Sequence, residues 1–247
     1  MIKLSILTTN TTHHCYFVQE VKKNELEVSV IFEPPKPINN SVLLEQSFEN
    51  QKKSFEEKRV NYENQRWFEG KKMDITNFTN VFKVDDINSK NAHEKLKEIN
   101  PDLIVVFGTR KIKEDMISAF KNRIFNLHGG SPEKYRGLDS HYWAIYHKDF
   151  ESITTTLHQV ESSLDTGGII LQEKVKLWPN MNLYQLRASN TELCVYLTNE
   201  LIDIFKKKKS IKSKKQKTKG RYYSLMPEAL KSNIEFKFQN YIKKISS

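Results

Sequence analysis

Short, almost unbroken apolar runs recur along the chain at residues 3–7, 26–32, 81–84, 102–107, 123–127, 153–160 and 169–175, each bounded by turn-forming residues. Their length and content predict buried strands. Between them lie segments with helical spacing, at residues 15–23, 91–99, 140–147 and 183–208. The last is capped by Asn182 and carries Leu186, Leu193, Leu197, Leu201 and Ile204 on one side. Strands alternating with helices predict an α/β fold, a mainly parallel open sheet with helices on both faces. The run Glu33-Pro34-Pro35-Lys36-Pro37 breaks this rhythm. It is followed over about residues 41–70 by a long charged helix or helical pair, where Leu44, Phe48, Phe55 and Tyr62 form one stripe that packs on the core. Beyond Gly220, residues 221–225 and 234–238 read as two short strands or a strand and a helix, too little to bury a core of their own. The expected organisation is one main domain over residues 1–209, with the insertion, and a lysine-rich linker plus small C-terminal appendage over 210–247.

Composition narrows the setting. Cys15 and Cys194, the two cysteines of 247 residues, offer neither a disulfide framework nor zinc spacing, which suits a reducing compartment; no metal site is expected. The apolar run at the amino terminus is too short for a signal peptide, and no run approaches a membrane span, so a cytoplasmic protein without a membrane partner is expected. The net charge of +10 has one main source: nine lysines lie between positions 206 and 219 with no acid among them, leaving about +1 for the rest. That run reads as a solvated helix end and linker, without the interleaved aromatics that would stack bases, so nucleic acid is not the expected partner.

The chemistry concentrates after the run at 123–127. Asn126 and His128 stand two apart, hence on one face of a strand, and a Gly- and Pro-containing loop follows at once. Open α/β sheets place their ligand crevice at that end of the strands. Asp165 sits in a second polar loop between two apolar runs and can fold over the same crevice. An amide to donate to a developing oxyanion, an imidazole to move a proton and a carboxylate to fix its tautomer form an acyl-transfer set. The first loop, residues 8–14, is polar and lacks the glycines of a dinucleotide fingerprint, which argues against a dehydrogenase.

Asn126-x-His128, Tyr135-Arg136-Gly137 and Leu164-Asp165-Thr166-Gly167, in this order, resemble the formyltransferases that use 10-formyltetrahydrofolate. The similarity runs from Pro101 to about Glu173. It departs from the usual pattern in the loop His128-Gly129-Gly130-Ser131-Pro132-Glu133, where the family commonly has His-Pro-Ser-Leu-Leu-Pro. The resemblance implies 10-formyltetrahydrofolate as co-substrate, with Phe107, Thr109, Ile112 and Leu164 in the cofactor wall and Tyr135 near the acceptor. Purine enzymes of this kind carry a Gly-x-Gly-Ser-Asn phosphate loop that is absent here. The tail falls short of the barrel-like domain of methionyl-tRNA formyltransferases. The insertion is more like those of sugar-nucleotide N-formyltransferases. The expected acceptor is therefore a nucleotide-linked amino sugar, its diphosphate near His13, His14, Arg59 or Arg66, with a homodimer as an option. A tRNA formyltransferase, a formyl-group hydrolase and a non-catalytic binding protein stay as alternatives.

Overall fold

A computed structural model describes residues 1–35 and 46–246. Seven strands form one sheet in the order β3-β2-β1-β4-β5-β7-β8. The first five, β1 (Lys3–Thr9), β2 (Glu27–Glu33), β3 (Val81–Lys83), β4 (Leu103–Val106) and β5 (Ile124–His128), pair in parallel. β7 (Thr154–Gln159) and β8 (Ile169–Lys174) extend the sheet antiparallel. The chain order reverses at β1, flanked by β2 and β4. That switch opens a crevice beyond the carboxyl ends of the strands.

Alternation along the strands fills both faces, as buried parallel strands require. Leu4, Ile6, Leu103 and Val105 pack with α1 (Thr12–Val21) and α6 (Leu186–Lys208), while Leu7, Ile31, Ile104 and Val106 pack with α3 (Lys90–Ile99) and α4 (Glu114–Ala119). A third apolar cluster joins α5 (Ser140–Tyr146) to α7 (Glu228–Ser246) through Ile145, Ile234, Phe238 and Ile242, each at most 1% exposed. No described helix is long and apolar enough to cross a membrane.

Over the insertion, the described residues form one 23-residue helix, α2 (Gln46–Phe68). Leu44 and the side chain of Phe48 lie outside the described residues. Phe55 joins the third cluster. Two turns on, Glu63 is fully buried and accepts two hydrogen bonds from Arg187 of α6, at 2.7 and 2.6 Å. As the capping pattern predicts, Asn182 caps the last helical segment of the main domain, but it caps a single 3-10 turn, Leu183–Gln185, that leads into α6; its N–H donates to Gln185 Oε1 at 2.7 Å.

The lysine-rich segment runs along the site side of the sheet. Lys214 exchanges two backbone hydrogen bonds with Ile169, at 2.7 and 2.8 Å. Gln216 Nε2 donates to the carbonyls of Asp165 and Gly167, at 2.9 and 2.8 Å. Lys217 N–H donates to Glu133 Oε1, and β9 (Arg221–Tyr223) pairs in parallel with β6 (Tyr135–Gly137). Residues 213–223 thus form a strap across both loops that leave the sheet at the crevice. Residues 234–238 are helical, inside α7.

Candidate active site

β5 delivers Asn126 and His128 to the crevice on the same face, two residues apart. The cleft has a volume of about 830 Å³. β7, antiparallel to β5, sets His158 directly opposite Asn126, and the loop between β7 and β8 brings in Asp165 at φ 54°. The left-handed conformation at Asp165 is uncommon for a residue with a side chain and marks a position held by its surroundings. Gln216 supplies part of that hold. Gly167 supplies another: a Cβ there would stand 1.7 Å from the Gln159 carbonyl oxygen, so only glycine lets the loop lie flat on β7.

The four polar groups form one connected cluster. Asn126 Nδ2 lies 3.2 Å from His158 Nε2 and 3.5 Å from Asp165 Oδ1. Asp165 Oδ1 lies 3.3 Å from His158 Nε2, and Asp165 Oδ2 lies 3.5 Å from His128 Nδ1. The Gly137 N–H donates to Asp165 Oδ2 at 2.8 Å. Burial works against charge on Asp165, but the His158 hydrogen bond, the charges of both histidines and the Gly137 N–H outweigh it and hold the carboxyl down to about 2. Burial lowers the affinity of His128 for a proton, with Asp165 opposing.

The tautomer of His128 is set elsewhere than the sequence suggests. Its Nε2 lies 2.8 Å from the Tyr135 carbonyl, which can only accept, so the proton sits on Nε2 and the lone pair of the neutral ring is on Nδ1, toward Asp165. At Gly130 a Cβ would stand 2.7 Å from Ser140 Cβ, so glycine lets the loop close on α5, and Thr156 Oγ1 donates to the Gly130 carbonyl at 2.7 Å. His158 Nδ1 faces the Gln159 carbonyl at 2.8 Å, and its Nε2 faces both Asn126 Nδ2 and Asp165 Oδ1.

Thr109, Ile112 and Leu164 line the cleft, beside Val106, Leu127 and Val160. Phe107 does not. Strand parity turns it to the face of Leu103 and Val105, where it meets Phe17 and His14 at ring distances of 4.9 Å. Tyr135 is also turned away: its ring stacks near Tyr223 and His147 and its hydroxyl donates to Asp149, so only its carbonyl reaches the site. Arg59 lines the cleft, together with Arg187. Arg66 is spent on Glu192 of α6, at 2.5 and 3.0 Å, outside the cleft.

The loop after β1 is shorter than expected. α1 starts at Thr12, so His13 and His14 belong to its first turn. His14 Nδ1 faces the hydroxyls of Thr9 and Thr11, and its Nε2 faces Gly108, where any Cβ would approach to 2.2 Å. Burial pushes His14 down to about 3. His13 covers it with rings 3.9 Å apart and, through burial and the charges of His14, Arg187 and Arg59, is held well below the ordinary imidazole range. Thr9, rather than either imidazole, forms that part of the cleft wall.

His158, Arg187 and Gln216 were not marked by motif. For His158 a signal exists, a polar ring inside the apolar run at 153–160; for the other two it does not.

Residues 3–195 match the Formyl transferase family. Among curated proteins, the chain is 32% identical over 123 residues to the methionyl-tRNA formyltransferase of Finegoldia magna, a match covering 49% of this chain and 39% of that protein. It is 33% identical over 117 residues to the phosphoribosylglycinamide formyltransferase of Haemophilus influenzae, over 47% of this chain and 53% of the other. The matches therefore span about half or less of these relatives. Among solved structures, the fold superposes on the N-formyltransferase from Helicobacter canadensis, determined with folinic acid and dTDP-3-aminofucose, with a TM-score of 0.56 and 22% identity, covering 91% of this chain and 71% of that one.

Proposed function

Because the chain belongs to the formyl transferase family, we propose that it transfers a formyl group from 10-formyltetrahydrofolate to the amine of a nucleotide-linked amino sugar. The observation that supports this most is the convergence of Asn126, His128 and Asp165 on one cleft, with two loops strapped to hold them.

The cleft suits the folate in size and character. Val106, Ile112, Leu127, Val160 and Leu164 offer apolar walls for a flat ring, and the main chain of residues 108–112 offers hydrogen-bonding groups beside them. When bound, the folate supplies an activated formyl carbon. Asn126 would turn its amide to the formyl oxygen as negative charge develops there, giving up its contact with His158. One such donor is worth about 3 kcal/mol. Neutral His128 would take the proton of the attacking amine at Nδ1. The ring then carries N–H groups on both sides, one fixed by the Tyr135 carbonyl and one facing Asp165, whose carboxylate stabilises the imidazolium. His128 would next return that proton to the departing folate nitrogen as its bond to the formyl carbon breaks, which leaves the ring neutral again.

For the acceptor, the proposed diphosphate site is the end of the cleft lined by Arg59 and Arg187, which also pair with Glu56 and Glu63 and would share their guanidinium donors with the phosphates. Solved N-formyltransferases with a nucleotide sugar share the fold, and the one from Helicobacter canadensis holds dTDP-3-aminofucose. The reading carries a cytoplasmic location, and light scattering would test a homodimer. A second reading, formylation of an aminoacyl-tRNA, draws on the 32% identity to a methionyl-tRNA formyltransferase. Formyl transfer measured with nucleotide-linked amino sugars, glycinamide ribonucleotide and methionyl-tRNA separates these readings. Turnover with an amino sugar is expected to exceed the others by at least ~10²-fold; preferential use of methionyl-tRNA would replace the first reading by the second.

A further inference from the structure

The lysine side chains between positions 206 and 219 take no part in the chemistry above, yet the backbone that carries the later ones is fixed in place. Nine lysines lie in that stretch with no acid, and all nine side chains are exposed. Among the described residues only Lys206 has a carboxylate partner, Asp203 at 3.9 Å. A solvated linker needs none of the backbone order seen here. Lys214 is paired to Ile169, Gln216 grips Asp165 and Gly167, and Lys217 and Thr218 bond Glu133. The strap ends in Tyr222, a wall of the cleft, with Arg221 exposed beside it. Arg136 joins this edge, donating to the carbonyls of Gly220 and Leu164 at 2.6 and 3.1 Å. Unpaired cations are thus held along one rim, beside the loop whose Leu164 faces the apolar wall.

The proposed donor carries an anionic end. A folate ends in glutamate, and folates extended by γ-linked glutamates gain one carboxylate per added residue. We propose that the strap is a binding site for the γ-glutamyl tail of the donor, engaged where the tail leaves the cleft past Leu164 and Tyr222. A flexible tail of several residues reaches from the rim onto Lys217, Lys215 and Lys214. Exposed charges attract such a polyanion mainly at short range, within about 8 to 10 Å at physiological ionic strength, so contact must be local and salt-sensitive. The inference rests on the folate-dependent reading of the cleft.

The test uses the full chain, with binding of tetrahydrofolate monoglutamate and pentaglutamate measured by calorimetry at low and high salt. The wild type is compared with a variant carrying Lys212→Gln, Lys214→Gln, Lys215→Gln and Lys217→Gln. The pentaglutamate is expected to bind about tenfold more tightly than the monoglutamate at low salt. That advantage should shrink below about twofold in the variant or at high salt, with monoglutamate affinity unchanged. Equal affinity for both forms in the wild type, or an advantage that survives in the variant, overturns the proposal. Unaltered folate behaviour with loss of tRNA binding in the variant also overturns it, in favour of RNA. A wild type that binds neither folate defeats the reading of the cleft itself, a separate and recognisable outcome.

Discussion

A carbonyl and a carboxylate on opposite sides of one imidazole decide what His128 can do. The Tyr135 carbonyl fixes the proton on Nε2, and the buried Asp165 lies 3.5 Å from Nδ1. Loss of either side chain that performs the chemistry should be severe: His128→Ala or Asn126→Ala is expected to lower turnover by at least ~10²-fold with folate binding nearly unchanged, checked by steady-state kinetics beside calorimetry. Near-normal turnover in either variant removes that residue from the mechanism. Both residues are legible in sequence because strand alternation alone puts positions two apart on one face. His158 is not, since it meets Asn126 only through antiparallel register across 32 residues. Phe107 shows the opposite case, where a residue next to the cleft in sequence is turned into the core by the same parity.

Among the elements, the strap is the one whose role no local pattern announces. Its amide side chain, Gln216, satisfies two carbonyls of the loop that holds Asp165 in a left-handed conformation. Each hydrogen bond contributes about 1 kcal/mol net. Gln216→Ala is expected to cost about 1 to 2 kcal/mol in urea unfolding and to lower kcat about tenfold, with the KM for folate within about twofold. A loss of stability without any loss of kcat would show that the loop keeps its shape unaided. The strands, their parallel order and the helical segment capped by Asn182 follow from periodicity and caps. The strap does not, because it is held by side chains and backbone pairs to partners far away in sequence, from Ile169 bonded by Lys214 to Lys134 bonded by Arg221. The same holds for the insertion: its apolar stripe predicts a helix packed on the core, but the Glu63–Arg187 pair that ties it to α6 is settled only by packing.

For the whole molecule, buried neutral histidines set the response to acid. Burial holds His14 at about 3 and His141 at about 4, and lowers His128, all from an ordinary value of 6.5. In the unfolded chain these rings take up protons below about 6.5, while the folded chain resists, so the unfolded state binds more protons and stability falls as pH drops. Asp165, held down to about 2, keeps its contribution until pH falls below about 4. The urea midpoint is therefore expected to be nearly flat above pH 7 and to decline between pH 6.5 and 4. His14→Gln should flatten that decline; an unchanged slope would show that His14 is not held neutral. The acid limb of kcat/KM should lie below the usual imidazole range, in keeping with the direction of the His128 shift.

The strap also puts the reaction under the control of chain order. Asn126, His128 and Asp165 are synthesised before residues 213–223, which clasp their loops. A nascent polypeptide can thus lay down all seven strands of its sheet before the segment that clasps the Asp165 loop has been made.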